Sequence, residues 1–214
     1  MMKLIGMLDS PYVRRTAISL KCMGISFEHQ ALSVFTDFEQ FQAINPVVKA
    51  PTFVFDSGEV LMDSTIILHY AESAVPASRR LMPHGGEEFR LALQIVGFAL
   101  AAGEKAVQLV YEKNLRPLDK QHQPWIDRVT QQLKAATTSL ESKLRTSEFE
   151  LAPAVLTQPH ITCAVIWQFI QSNLPDIIPA ADFPILQTLS TYAEALPEFL
   201  AFPPTGPGVV APNP

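Results

Sequence analysis

A short apolar run leads directly into Asp9-Ser10-Pro11-Tyr12-Val13-Arg14-Arg15, a segment that opens an amphipathic helix. Ser10 is a preferred N-cap residue and Pro11 a preferred first helical residue. The start of a helix exposes unpaired backbone N–H groups and the positive end of the helix dipole. The segment therefore places a hydroxyl where a small anion, or a thiol ready to become one, is stabilised.

The residues on both sides of this helix predict a mixed sheet. Gly24 ends the helix, and a strand on each side of it makes a βαβ unit with parallel strands. Asn45-Pro46 ends a second, weaker helix, and Asp56-Ser57-Gly58 is a hairpin turn signal. The order βαβ, short helix, ββα is the thioredoxin-like arrangement. The predicted elements are strands at 3–8, 25–32, 52–55 and 59–62, and helices at 11–23, 36–44 and from Ser64, which is expected to cap its helix.

Everything beyond a Pro-, Ser-, Arg- and Gly-rich stretch is predicted to be helical. The third helix of this part is strongly apolar and is expected to form the buried centre of a second domain. Five prolines after Phe202 predict a tail that is extended or mobile on the surface. The sequence thus predicts an α/β domain at 1–77, a linker at 78–86 and an all-α domain at 87–214 that includes the tail at 203–214. The predicted helices of the second domain span 87–113, 124–145, 159–172 and 184–196.

Composition excludes several classes of function. The 16 Lys and Arg residues against 21 Asp and Glu give a net charge of −5, without a basic patch interleaved with aromatics, so nucleic acid is not an expected partner. Only 17% of residues are charged, which indicates apolar surface buried between subunits or around a ligand. Cys22 and Cys163 lie in apolar helical patterns and are expected to be core thiols. Without metal-ligand spacing, a basic leader or an apolar run of membrane length, we expect no metal, no membrane contact and a cytoplasmic protein.

Three motifs in the first eighty residues resemble those of the glutathione transferases in order and spacing. They are Ser10-Pro11 at the first helix, Lys49-Ala50-Pro51-Thr52 before a strand and Asp63-Ser64 before a helix. The resemblance continues in Leu156-Thr157-Gln158-Pro159-His160-Ile161, at the start of the apolar helix. It implies a thioredoxin-like domain followed by an all-helical domain. It also implies an enzyme that uses glutathione as co-substrate, forms a homodimer, and holds a small electrophilic substrate in an apolar pocket between the domains.

The resemblance assigns the glutathione contacts residue by residue. The peptide bond before Pro51 is expected to be cis, so that the N–H and C=O of Ala50 pair with the cysteinyl part of glutathione like an added strand. Lys49 is expected to reach the glycyl carboxylate. Asp63 is expected to accept from the γ-glutamyl ammonium, while the hydroxyl and N–H of Ser64 hold the γ-glutamyl carboxylate.

Ser10 receives the catalytic role in this scheme. It stands where thioredoxins and glutaredoxins carry the first cysteine of their dithiol, and serine cannot form a disulfide, so dithiol exchange is excluded. Its hydroxyl is expected to donate to the glutathione sulfur and favour the thiolate. Tyr12 and Tyr111 are candidates for the second-substrate pocket, although both are equally consistent with ordinary core or interface aromatics.

Two residues depart from the family pattern. Val48 stands where many relatives have glycine, which limits the backbone freedom of the loop before Lys49. His160 replaces the usual aspartate of a capping box whose N-cap is Thr157. Aspartate at this position is therefore expected to stabilise the protein, and His160 is expected to have a lowered pKa.

Two other functions remain open on the sequence. A non-catalytic member of the same fold could act as a partner-binding or regulatory module, and such a role predicts loss of Ser10 and of the Asp63-Ser64 pair, which are intact here. A glutathione-dependent isomerase or reductive dehalogenase would share the same first domain, so the three motifs are consistent with it as well.

Overall fold

The fold was analysed in a computed structural model that describes residues 1–147 and 149–209. The chain divides into two compact units. The first comprises Met1–Leu81 together with the chain from Pro197 onward, and the second comprises Met82–Leu196.

The first unit is built on a four-stranded mixed sheet of order β2-β1-β3-β4, with β1 parallel to β2 and antiparallel to β3. The hairpin β3–β4 is antiparallel and pairs Phe53 with Leu61. The predicted topology is confirmed, with each strand shorter than expected. The elements are β1 (Lys3–Ile5), α1 (Pro11–Cys22), β2 (Glu28–Gln30), α2 (Phe38–Ile44), β3 (Thr52–Val54), β4 (Val60–Met62) and α3 (Ser64–Ala74).

Helix α1 packs against the sheet and against α3 and is almost entirely buried. Its aliphatic side chains are fully enclosed, as are those of β1. Gly24 has a φ of 72° directly after the C-cap, the left-handed conformation expected of a glycine that ends a helix. The core of this unit therefore lies around α1, whose first turn carries Ser10.

The C-terminal part of the chain belongs to the first unit, which differs from the predicted all-α domain at 87–214. A short helix, α8 (Pro197–Leu200), contacts α1, and Phe199 is fully buried. Residues 203–209 contain no helix or strand, in line with the predicted extended tail, but they are hydrogen-bonded to the loop before Ser10. Burial of the apolar Phe199 against the first unit places α8 there and not in the predicted all-α domain. The predicted tail residues 210–214 lie outside the described residues.

The second unit is all helical and centres on an apolar helix, as predicted. Twelve of the 16 residues of that helix are buried, and it packs against two of the others. Gly103 permits one of these contacts, because a Cβ there would lie 2.4 Å from Cδ1 of Ile166. The buried carboxylate of Glu141 accepts from the N–H groups of Ile185 and Leu186, both at 3.0 Å, and so caps the last helix. The helices are α4 (Gly86–Leu115), α5 (Gln123–Thr146), α6 (Gln158–Asn173) and α7 (Pro184–Glu194).

Helix α4 alone among the described helices is long and apolar enough to span a membrane, by length and composition only. The same criteria are met by core helices of soluble proteins, and α4 packs against α5 and α6. Of the two free cysteines, Cys163 is fully buried as expected, whereas Cys22 is only partly buried. Burial raises the pKa of the Cys22 thiol to about 12, with a smaller contribution from Glu198.

The start of α6 corrects the expectation for His160. Its Nδ1 accepts from the N–H of Thr157 at 3.2 Å and lies 2.6 Å from the Thr157 hydroxyl, so the capping role is confirmed. Nδ1 is therefore the unprotonated nitrogen, and Nε2 donates to the carbonyl of Glu150 at 2.7 Å. The ring also stacks on Phe149, with centroids 4.3 Å apart. Aspartate could replace the cap but neither of the other contacts.

We therefore expect His160→Asp to destabilise the protein, by about 1 to 3 kcal/mol, because the Glu150 carbonyl loses its donor and Phe149 loses its stacking partner. This reverses the expectation from the sequence. Urea denaturation of the variant and the parent measures the difference. A variant at least as stable as the parent would mean that these two contacts contribute little.

A lower pH should also reduce the stability of the parent protein, because His160 becomes protonated. Burial lowers the pKa of His160, against the Glu150 carbonyl and carboxylate, which raise it. The imidazole of His160 is thus protonated less readily in the folded protein than in the unfolded chain. Neutral His160 therefore contributes its full stabilisation above the unfolded pKa of about 6.5. This contribution is lost as the pH falls from that value through the lower pKa of the folded protein. Thermal melts at about pH 7.5 and pH 5.5 should show a smaller loss for His160→Gln, which cannot titrate, than for the parent.

Candidate functional site

Ser10 occupies the N-cap of α1, as predicted. Its backbone is extended (φ −72°, ψ 121°), and its Oγ accepts a long hydrogen bond of 3.5 Å from the N–H of Val13. Within the described ranges, no acceptor lies within hydrogen-bonding distance of its own O–H hydrogen. The half-buried hydroxyl can therefore donate to a ligand while its oxygen faces the helix N-terminus.

The Ala50–Pro51 segment lies beside the first turn of α1. The peptide bond before Pro51 is cis, as the resemblance implied. Gly6, at the end of β1, allows the close approach: a Cβ on it would lie 2.6 Å from Val13 and 3.1 Å from the Cβ of Ala50. Neither the N–H nor the C=O of Ala50 has a hydrogen-bond partner in the part of the chain that the structure describes. Both backbone groups are thus available next to α1.

Two residues that the sequence analysis did not single out hold the loop before Pro51. The buried Asn45 donates from Nδ2 to the Thr52 hydroxyl at 2.8 Å, and that hydroxyl donates to the carbonyl of Lys49 at 2.7 Å. Oδ1 of Asn45 accepts from the N–H of Val47, as in an Asx turn. The sequence analysis interpreted Asn45-Pro46 only as the end of a helix. The same pair was the signal that Asn45 could hold this loop.

Val48 has a φ of 52°, in the left-handed region that a β-branched residue rarely adopts. Asp63 has a φ of 75°, and these are the two non-glycine residues with positive φ in the described chain. Both lie in segments that the sequence assigned to ligand binding. Strained backbone of this kind concentrates at functional sites.

Asp63, rather than Ser64, is the N-cap of α3, which corrects the expectation that Ser64 caps this helix. Oδ1 of Asp63 accepts from the N–H of Thr65 at 2.9 Å, and Ser64 is the first helical residue. The longer reach of the aspartate side chain, together with its positive φ, places its carboxylate at the helix start. Ser64 is buried, and its hydroxyl accepts a hydrogen bond from Arg15 of α1 instead of capping α3.

Lys49 and Asp63 form an ion pair, with Nζ 3.2 Å from Oδ2 and both side chains about half exposed. Burial alone would raise the pKa of the Asp63 carboxyl, but hydrogen bonds from the Thr65 amide and Lys49 outweigh it and lower the pKa. The two charges that were assigned to opposite ends of glutathione thus lie next to each other in this structure.

Arg15 connects α1 to this corner and was missed in the sequence. Its guanidinium is 1% exposed, and Nη1 donates to the hydroxyl of Ser64 at 3.0 Å and to that of Thr65 at 3.4 Å. Burial lowers the pKa of Arg15 to about 10, against the negative charge of Asp63. Because the Ser64 oxygen accepts from Arg15, its own O–H hydrogen remains able to donate to a ligand. An arginine pair within an apolar helix was the available signal, since a buried guanidinium requires acceptors.

The two tyrosines proposed for a second substrate are not in the same unit. Tyr12 is the second residue of α1 and is partly buried, whereas Tyr111 lies near the end of α4 with 39% of its surface exposed. Among the described residues no group of three or more His, Cys, Asp or Glu side chains could hold a metal ion.

Contacts within the first unit therefore link complementary groups: a hydroxyl at a helix start, a free backbone amide and carbonyl, a lysine, an aspartate and a second helix start. The groups include both charges and suit an extended zwitterion with a central thiol.

Comparison with known proteins supports a family assignment. The family model described as the glutathione S-transferase N-terminal domain matches residues 4–79 of this chain. An uncharacterised GST-like protein, YibF of Escherichia coli K12, is 30% identical over 167 residues, which cover 77% of this chain and 80% of that protein. The chain belongs to the glutathione S-transferase family. It is also 28% identical to glutathione S-transferase U4 of Arabidopsis thaliana over 91 residues, 42% of this chain and 40% of that protein.

Solved structures of glutathione S-transferases share the whole fold. A family member from Pseudomonas fluorescens Pf-5, with bound glutathione, is 25% identical with a TM-score of 0.82, over 96% of this chain and 100% of that one. A glutathione S-transferase from Methylobacillus flagellatus KT, with GSH bound, is 18% identical with a TM-score of 0.83, over the full length of both chains. The thioredoxin-like and helical parts together make the glutathione transferase fold.

We expect Val48→Gly to stabilise the protein by about 1 kcal/mol, because glycine relieves the positive φ at a cost of some backbone entropy. Urea denaturation of the variant and the parent measures the change. Val47→Gly, at the exposed neighbouring position, is the matched control and should destabilise. Equal effects of the two substitutions would show that the loop carries no strain at Val48.

Proposed function

We propose that this protein is a glutathione transferase that activates the glutathione thiol as a thiolate for attack on an electrophilic small molecule or a peroxide. The observation that carries the proposal is the position of α1. Ser10 caps it, Val13 on its first turn lies beside Gly6 and Ala50, and Arg15 on its second turn donates to Ser64. One helix thus joins motifs that are some fifty residues apart. The bound glutathione of the P. fluorescens relative is consistent with this use of the fold.

The free N–H and C=O of Ala50 are the proposed partners of the cysteinyl unit, in the manner of a strand added to a sheet edge. Pro51 fixes their direction through its cis bond. Lys49 is the proposed partner of the glycyl carboxylate. Its carbonyl accepts from the Thr52 hydroxyl, so the backbone is fixed, while the half-exposed ammonium is held, among the described residues, only by its ion pair with Asp63.

Asp63 and Ser64 are the proposed partners of the γ-glutamyl group. The half-exposed Asp63 carboxylate can accept from the ammonium, while Ser64 offers its N–H at the start of α3 and a hydroxyl that Arg15 polarises. Arg15 also places a buried positive charge behind this helix start. The ion pair between Lys49 and Asp63 would open on binding, and each charge would take the oppositely charged group of the ligand.

Ser10 is the proposed catalytic residue. Lowering a thiol pKa by about two units from 8.5 requires roughly 2.7 kcal/mol of preferential stabilisation of the thiolate. One hydrogen bond to a charged group contributes about 1.5 to 3 kcal/mol, and the helix end about 0.3 to 1 kcal/mol. The thiolate then forms a thioether with an electrophilic carbon as the leaving group departs with the bonding electrons. With a peroxide it takes one oxygen and releases an alcohol.

The second substrate and the oligomeric state complete the proposal. Tyr12, two residues after Ser10, and Tyr111 remain the proposed contributors to an electrophile pocket. Exposed apolar side chains on β4 and α3, namely Val60, Met62, Ile66 and Tyr70, support a homodimer.

Ser10→Ala should raise the pKa of bound glutathione and lower turnover, while glutathione affinity stays close to that of the parent, because only the donor to sulfur is removed. The measurements are retention on immobilised glutathione, pH titration of thiolate absorbance in the complex, and assays with a panel of electrophiles and peroxides. Ser57→Ala, at an exposed turn of the same unit, is the control and should change nothing. Binding by the parent without turnover on any member of the panel would favour the non-catalytic module.

Asp63→Asn should weaken glutathione binding by about 1.5 to 3 kcal/mol, because the ammonium loses its anion while an oxygen remains to cap α3. Calorimetric titration measures the affinity. Asp56→Asn, which removes an exposed carboxylate from the nearby hairpin, should bind like the parent. Indifference of the affinity to Asp63→Asn and to Ser64→Ala together would place the γ-glutamyl site elsewhere.

A further inference from the structure

The chain returns to the start of α1 at its C-terminal end. Residues 202–208, here called the C-terminal strap, begin where the Nε of Arg14 donates to the carbonyl of Phe202 at 2.8 Å. The ring of Phe202 stacks on Phe27 at a centroid distance of 5.7 Å. Just before the strap, the fully buried Phe199 lies under the Arg14 guanidinium, 5.5 Å from the ring centroid. The start of the strap is thus held to α1 by the buried Arg14 and to the segment after α1 by Phe27.

Beyond this anchor the strap contacts Asp9 by backbone and side chain. The N–H of Asp9 donates to the carbonyl of Thr205 at 3.0 Å, and the N–H of Gly208 donates to Oδ2 of Asp9 at 2.8 Å. Gly206 passes so close that a Cβ on it would lie 2.1 to 2.8 Å from the carboxylate atoms of Asp9. Any side chain at position 206 would therefore require the Asp9 carboxylate to move from its present position.

Asp9 immediately precedes Ser10, so its backbone sets the direction in which the Ser10 side chain leaves the chain. Hydrogen bonds from the amides of Gly208 and Ser10 lower the pKa of the Asp9 carboxyl, but burial, the larger effect, raises it. The Ser10 amide also donates to the carbonyl of Met7 at 3.2 Å. A rotation of Asp9 away from the strap would change the orientation of the hydroxyl at the N-cap.

We propose that Asp9 is a positioning residue for Ser10 and that the C-terminal strap, by holding Asp9 between Thr205 and Gly208, aims the Ser10 hydroxyl at the glutathione sulfur. This inference rests on the proposed function. Hydrogen bonds weaken steeply once distance and angle leave their narrow optimum, so a small displacement of Ser10 costs much of the thiolate stabilisation. Residues that bind the two ends of glutathione lie on other loops and are unaffected.

Four variants separate positioning from other roles of Asp9. Asp9→Ala removes the acceptor for Gly208, and Gly206→Ala places a methyl group against the carboxylate. Asp9→Asn keeps an oxygen acceptor and the shape but removes the charge. Thr205→Ala keeps the backbone carbonyl that Asp9 uses and is the matched control within the strap.

We expect Asp9→Ala and Gly206→Ala to raise the pKa of bound glutathione by about one unit, which reduces the thiolate, and with it turnover, about tenfold at a pH below that pKa. Affinity for glutathione should change less than twofold. Asp9→Asn and Thr205→Ala should behave like the parent. A purely electrostatic role gives the opposite sign, because removal of a nearby negative charge lowers the thiol pKa in both Asp9→Ala and Asp9→Asn, and this result would overturn the proposal.

Hydrogen exchange of the Val13 and Arg14 amides tests the positioning without glutathione. Exchange in the first turn of α1 should be faster in Asp9→Ala and Gly206→Ala than in the parent and in Thr205→Ala. An unchanged thiol pKa with unchanged exchange would show that the strap does not position Ser10. A raised thiol pKa in Ser10→Ala but not in Asp9→Ala refutes this inference alone. An unchanged thiol pKa in Ser10→Ala refutes the proposed function of Ser10.

Discussion

The candidate site depends on the hydrogen bonds that the buried guanidinium of Arg15 on α1 donates to the start of α3. A cation removed from water requires acceptors and a negative charge. Helix α3 supplies acceptors for Nη1 in the hydroxyls of Ser64 and Thr65, with the charge of Asp63 nearby, whereas Nε has no partner among the described residues. The start of α3 is thereby fixed against α1. On the opposite side of α1, the missing side chain of Gly6 fixes the distance to Ala50. The spacing of the site follows from one polar and one apolar contact of the same helix.

The second unit is organised by different means. Its central helix α6 is apolar on nearly every side and takes its stability from burial, while its polar contacts are concentrated at helix ends. His160 secures the start of α6, and Glu141 secures that of α7. Both caps are buried and involve more than one partner. Substitutions at these helix starts therefore affect packing as well as capping.

The sequence predicted the four strands, helices α1 to α7 and the start of α1 at Ser10, because hydrophobic period, turn residues and caps are local signals. The cis bond at Pro51 followed from the family resemblance. The contacts of Arg15 and Asn45 did not, since each depends on a partner that is distant in the chain or hidden in a turn. The cap formed by His160 was predicted but its contacts with Glu150 and Phe149 were not, because these two residues approach it only in the folded unit. The boundary of the second domain differs from the prediction for the same reason, because α8 contacts α1, which is distant in the chain.

The return of the chain to the first unit makes the second unit an insertion between Leu81 and Pro197. The contacts between Arg14 and Phe202, and between Asp9 and Gly208, join residues 188 and 199 positions apart. Such contacts form only after the intervening helices have been synthesised, and folding of the second unit shortens the loop that must be closed. The N-terminal unit therefore begins to fold first on the ribosome but acquires these contacts only after the whole second unit has been synthesised.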